Sequence, residues 1–158
     1  MAASASLLLG FISALEDILP KARSFVFSNC LGEVTGEFDV NKWEDSQQAI
    51  MRKWGYGSTD YGRTLREFQE DVGGNLRSDS VVIMLGDARN NYGDPALDSW
   101  QSIIANCRDV YWLNPEAESL WNTGDSIMQT YSEGCRKVVP AGNLAQLASF
   151  CDYLLKHS

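Results

Sequence analysis

The sequence predicts an α/β protein with a doubly wound, mostly parallel sheet carrying one antiparallel edge strand. Three observations point there. Val81-Val-Ile-Met-Leu85 is an unbroken apolar run rich in β-branched residues. Such a run is expected of a strand buried on both faces, in the middle of a parallel sheet covered by helices. Strand-like runs then alternate with amphipathic helical segments along the chain, the pattern of right-handed βαβ crossovers. Finally, 158 residues with 44% hydrophobic content suffice for one core, with no repeat or low-complexity tract.

The elements follow in order. Leu8, Phe11, Ile12, Leu15, Ile18 and Leu19 recur at helical spacing, so the amino terminus reads as an amphipathic helix ended by Pro20. Its apolar stretch is too short to span a bilayer and lacks the basic start of a signal peptide. Ala22 to Ser28 and Leu31 to Thr35 are strands separated only by Asn29-Cys30, hence an antiparallel hairpin. Asn41 is placed to cap a helix reaching about Trp54, with Trp43, Ile50 and Met51 turned inward. After the loop Gly55 to Asp60, Asp60 caps a helix whose apolar face is Tyr61, Leu65 and Phe68. The Val81 strand comes next, and Asp94-Pro95 opens a helix with a cap and a first-turn proline. A strand from Asp109 to Leu113, a polar loop through Ser126, a short helix to Glu133, a strand from Lys137 to Val139 and a helix from Leu144 to Leu155 complete the chain.

Net charge is −8 and the sequence pI is near 4.5, which argues against nucleic acid or an anionic membrane as the main partner. Cys30, Cys107, Cys135 and Cys151 are scattered without a C-x-x-C pair, so they read as buried reduced thiols of a cytoplasmic protein. A single histidine, His157, excludes a histidine-rich metal site.

Chemistry concentrates where the central run ends. Gly86 breaks it and Asp87 follows at the carboxyl end of the strand, the edge at which open α/β sheets bind ligands. Arg89, Asn90, Asn91 and Gly93 continue as a turn-prone loop. A second loop, Gly57-Ser-Thr-Asp60, belongs at the same edge. A threonine hydroxyl and a carboxylate from separate loops are hard oxygen ligands of the kind magnesium prefers, although two oxygens alone hold it poorly. Asp87 could equally cap a turn.

Phe25-Val-Phe27, Gly57-Ser-Thr59, Val81-Val-Ile-Met-Leu-Gly-Asp-Ala-Arg-Asn-Asn-Tyr92, Val110-Tyr-Trp-Leu-Asn-Pro115 and Gly142-Asn-Leu144 follow one another in an order that resembles the von Willebrand factor type A (vWA) domains of the CoxE-like group. The resemblance runs over nearly all of 1–158 and implies a single, partial, Rossmann-like vWA domain. In that family a metal-ion-dependent adhesion site joins an Asp-x-Ser-x-Ser loop after the first strand to a threonine and an aspartate from later loops. The matching residues are Thr59 and Asp87, with Ser58, Arg89 and Asn90 as the adjoining rim for a partner. No Asp-x-Ser-x-Ser occurs here, and Met1-Ala-Ala-Ser-Ala-Ser6 offers only Ser4 and Ser6 in its place. The chain therefore looks N-terminally truncated, beginning just past the motif. The resemblance implies weak or no Mg2+ binding, and a gap beside the Val81 strand that another chain could fill to give a homo-oligomer. It further implies a non-enzymatic protein-binding role alongside a MoxR-type AAA+ ATPase and a metalloenzyme client, with a partner carboxylate completing the magnesium shell.

Enzyme alternatives are weaker. A small metal-assisted hydrolase using Asp87, with Asp60 as an acid–base companion, is the rival class. Gly124-Asp-Ser126 resembles a lipase motif but falls late, in a polar loop, and no aspartate stands three residues before His157. A phosphatase Asp-x-Asp is ruled out by Arg89.

Overall fold

The computed structural model describes residues 2–19, 21–55 and 57–157, with side chains from residue 5 onward. The chain order is α1 (Ala2–Ile18), β1 (Phe25–Phe27), β2 (Leu31–Glu33), α2 (Trp43–Trp54), α3 (Tyr61–Asp71), β3 (Val81–Leu85), α4 (Leu97–Ala105), β4 (Asp109–Asn114), α5 (Met128–Ser132), β5 (Lys137–Pro140) and α6 (Leu144–His157).

β1 and β2 pair antiparallel, with Val26 opposite Gly32. β3, β4 and β5 form a parallel sheet in that order, with Ile83 opposite Tyr111 and Leu113 opposite Val139. Alternation along the strands sends side chains to two layers. Val82, Met84, Val110 and Trp112 pack against Tyr61, Leu65, Trp100, Ile103 and Tyr131 of α3, α4 and α5. On the other face Ile83, Leu85, Tyr111 and Leu113 meet Phe11 of α1 and Leu147 and Phe150 of α6. A third cluster, Leu9, Val34 and Ile50, joins α1 and α2 to the hairpin.

Two expectations about the sheet are corrected. β3 is not its middle: that place belongs to β4, buried from Val110 to Asn114, whereas all five residues of β3 are only half-buried. The antiparallel hairpin is also not an edge of the same sheet, because among the described residues no strand pairs β1 with β3. The apolar run reports coverage on two faces, and says nothing of how many strands flank it.

Smaller corrections have local causes. Asp39, not Asn41, makes the turn ahead of α2, its carboxylate accepting from Asn41 N at 3.0 Å, and a short 3-10 turn intervenes. Met51 is exposed while Ile50 is buried. Ile18 and Leu19 project into solvent beyond the packed part of α1, and Pro20 lies outside the described residues. α4 begins at Leu97, after Pro95, because Asp94 turns the chain by accepting from Ala96 N at 2.9 Å and Ala96 is left-handed. The four cysteines are free and half-buried rather than fully buried.

Candidate functional site

The carboxyl edge of the sheet is built around Tyr61, the first residue of α3. Asp60 caps that helix, accepting from Arg63 N at 2.9 Å, which satisfies one of the open N–H groups of the first turn. The Asp60 carboxylate thereby serves its own helix through Oδ1. Tyr61 is 1% exposed, its ring lying near those of Phe27, Trp112 and Tyr131, with centroids 5.2, 5.8 and 5.9 Å away. Its hydroxyl donates to Asp87 Oδ1 at 3.3 Å and accepts from Ala88 N at 3.1 Å. Burial first, and the adjacent Asp87 charge second, push the phenol well above its ordinary range, so it serves as a neutral donor. Gly86 makes this approach feasible, since a Cβ there would overlap the Tyr61 hydroxyl.

Asp87 Oδ1 also accepts from Arg89 N at 3.0 Å, and among the described residues no group bonds its other oxygen. The Thr59 loop is fastened to this one by two further bonds. Tyr61 N donates to Asn90 Oδ1 and Asn91 Nδ2 donates to the Thr59 carbonyl, both at 3.0 Å. Thr59 is half-buried and bonded to the Asp87 loop through its carbonyl, and Ser58 is exposed.

Asn90 and Arg89 are placed differently from the open rim that the sequence suggests. Asn90 is 3% exposed, and its amide is spent on Tyr61 N and, at 2.9 Å, the Gly93 carbonyl. Arg89 is drawn sideways into a forked pair with Glu116 at 2.8 and 3.1 Å and a further pair with Asp125 at 3.1 Å. Hydrogen bonds to Glu116 and Asp125 raise the guanidinium pKa. Burial alone would raise the Asp125 carboxyl, but Arg89 and the Asn91 N–H hold it below its usual value. Both side chains fix the loop from within. Sequence reasoning missed Tyr61, Glu116 and Asp125; the one available signal was a tyrosine immediately after a helix cap.

As a metal site the donor set falls short. Asp87 supplies one anionic oxygen and Thr59 one hydroxyl, and among the described residues no three His, Cys, Asp or Glu side chains converge. A magnesium ion takes six oxygen ligands, so most of them would have to come from water or a partner. Ser6, the other candidate donor, gives its hydroxyl to Gln47 Oε1 at 3.3 Å. Met1 and the side chain of Ser4 lie outside the described residues. The lipase-like pair is not assembled either: Ser126 Oγ is buried and accepts from Asn122 N, while His157 stacks on Tyr153.

A parallel sheet between helix layers, with two loops locked together at its carboxyl edge, defines an α/β domain of the vWA kind. The model of the family described as VWA domain containing CoxE-like protein matches residues 1–150, and the chain belongs to that family. Among solved structures, a von Willebrand factor type A protein from Catenulispora acidiphila superposes over 98% of this chain with a TM-score of 0.58 and 18% identity. The chain spans 37% of that protein's length, so the likeness establishes the fold alone. No curated protein sequence matches the chain. No helix among the described residues is long and apolar enough to cross a membrane.

Proposed function

We propose that the chain is a non-enzymatic, cytoplasmic protein-binding domain that works through the carboxyl edge of its sheet. The observation that carries this is the fastening of the Gly57–Asp60 and Asp87–Asn91 loops through Tyr61, Asn90 and Asn91. Loops that must present a constant surface benefit from such cross-bonding, because ordering them beforehand lowers the entropy cost of docking. Family membership supports protein contact as the activity, in company with a MoxR-type AAA+ ATPase and in the service of metalloenzyme maturation. Thr59 and Asp87 form the partial metal-ion-dependent adhesion site of this reading. Their Mg2+ affinity is weak or nil in this chain, and Ser58 is the adjoining contact residue.

The test is calorimetric titration of this chain with a purified MoxR-type AAA+ ATPase. Saturable 1:1 binding that weakens at least tenfold on a Ser58→Arg change supports the reading. Heat no greater than that of dilution sinks it.

A further inference from the structure

The loop that carries Asp87 has a feature that its hydrogen bonding does not use. Ala88, Asn91, Tyr92 and Ala96 all have left-handed backbone, with φ of 58°, 51°, 59° and 52°. Left-handed backbone is unfavourable for L residues other than glycine, asparagine and aspartate. The surroundings hold it in place. Ile127 N donates to the Ala88 carbonyl at 2.9 Å, Asn91 N donates to Asp125 Oδ2 at 3.0 Å, and Gly93 N donates to the Asn90 carbonyl at 2.8 Å. What this rigid loop delivers to solvent is Tyr92, 85% exposed, more than any other large apolar residue described.

A tyrosine with φ of 59° and an open side chain adds nothing to the core, and asparagine or glycine would suit the backbone better. We infer that Tyr92 is the aromatic anchor of the binding edge, filling a shallow apolar pocket on a protein partner. The inference rests on the protein-binding reading above. The partner's chemistry follows from the neighbours. Asp94 is largely exposed and shares Arg66 at 3.3 Å, one Asp87 oxygen is unbonded among the described residues, and Arg89 is already neutralised by Glu116 and Asp125. The surface beside Tyr92 is thus polar with an acidic surplus, and the matching pocket is rimmed by lysine or arginine. A guanidinium there could lie over the phenol face while meeting a carboxylate. Tyrosine suits this place because it brings a large rigid area with few torsions to freeze.

The experiment titrates the same purified ATPase with the native chain and with Tyr92→Phe, Tyr92→Gly and Tyr92→Asn, and records each melting temperature. Glycine and asparagine both tolerate positive φ, so the loop keeps its shape. Loss of the ring is expected to weaken binding at least about 30-fold, while phenylalanine stays within about threefold of the native chain. Melting of the glycine and asparagine variants is expected to match or exceed the native value. Binding that survives Tyr92→Gly and Tyr92→Asn overturns the inference alone. A fall in melting temperature accompanying the loss of binding assigns Tyr92 a structural role and also overturns it. No binding by the native chain overturns the underlying reading, and this inference with it.

Discussion

Gly86→Ala probes the join between core and edge most directly. The added methyl would overlap the Tyr61 hydroxyl, and Tyr61 has nowhere to retreat, being held by Phe27, Trp112 and Tyr131. Forcing a methyl into a packed site costs about 1–3 kcal/mol. Displacing the hydroxyl also strips Ala88 N of its buried acceptor, a further cost of about 1–3 kcal/mol. A total of about 2–6 kcal/mol is thus expected, a large share of the stability of a typical domain. Equilibrium urea unfolding followed by tryptophan fluorescence measures it, since Trp112 lies in the same cluster. The decisive step is a double-mutant cycle with Tyr61→Phe. That change removes the obstructing oxygen, so Gly86→Ala should then cost less than about 1 kcal/mol, giving a coupling of at least about 1 kcal/mol. Additivity within about 0.5 kcal/mol would show that the two groups do not meet, and the described link between α3 and Asp87 would fall.

Other outcomes follow from the same geometry. Magnesium titrated into the native chain, watched by calorimetry and by Asp87 amide shifts, should give at most millimolar-range binding. Tight binding would show donors beyond Thr59 and Asp87. Arg89→Met should destabilise by roughly 1–3 kcal/mol and speed amide exchange in residues 116–125, because it leaves Glu116 and Asp125 without their cation. Unchanged exchange there would refute the clamp. Glu67 has its carboxyl lowered below the usual 4.5, chiefly by the Leu31 N–H at 2.8 Å and also by Arg63, against the opposing effect of burial. Its contribution is therefore complete above the usual glutamate value and is lost as pH falls through the lowered one. Glu67→Gln should flatten that part of the acid-unfolding curve, and an unaltered curve would count against it. Finally, Gly86 N bonds Leu113 O, so alternate β3 amides, including that of Ile83, point away from β4. Ile83→Pro should reduce any concentration-dependent association seen by sedimentation velocity, whereas Met84→Pro, which removes a ladder donor, should unfold the chain.

Much of this was legible in the residues, and most of the failures were of one kind. Local chemistry read correctly: Asp60 as a cap needs only the helix that follows it, and the hairpin needs only two apolar runs with a short turn between. Asp87 at a strand tip and Thr59 in a nearby loop follow from the alternation of strands and helices. What did not read out depends on partners distant in sequence. Val81 to Leu85 could not reveal that β4 and not β3 is central. Asn90 looked like one more turn former, yet its amide spans Tyr61 N and the Gly93 carbonyl, a role set by where α3 begins. Arg89 looked available because Glu116 and Asp125 are 27 and 36 residues away. Asp39 displaced Asn41 as the turn former because its carboxylate reaches a backbone N–H two residues on, an option both residues offer equally from sequence.

The separation of the hairpin from the parallel sheet bears on how the molecule breathes. Among the described residues the two share no ladder, and the hairpin is tethered by Asp60 N to the Ser28 carbonyl, by Leu31 N to Glu67, and by side-chain packing. Main-chain protection should therefore be graded, with amides of β1 and β2 exchanging through a partial opening that leaves β4 shut. The hairpin would be a shoulder that loosens ahead of a firmer trunk, and because Phe27 packs on Tyr61 and Asp60 N bonds the Ser28 carbonyl, that loosening would be felt at the binding edge.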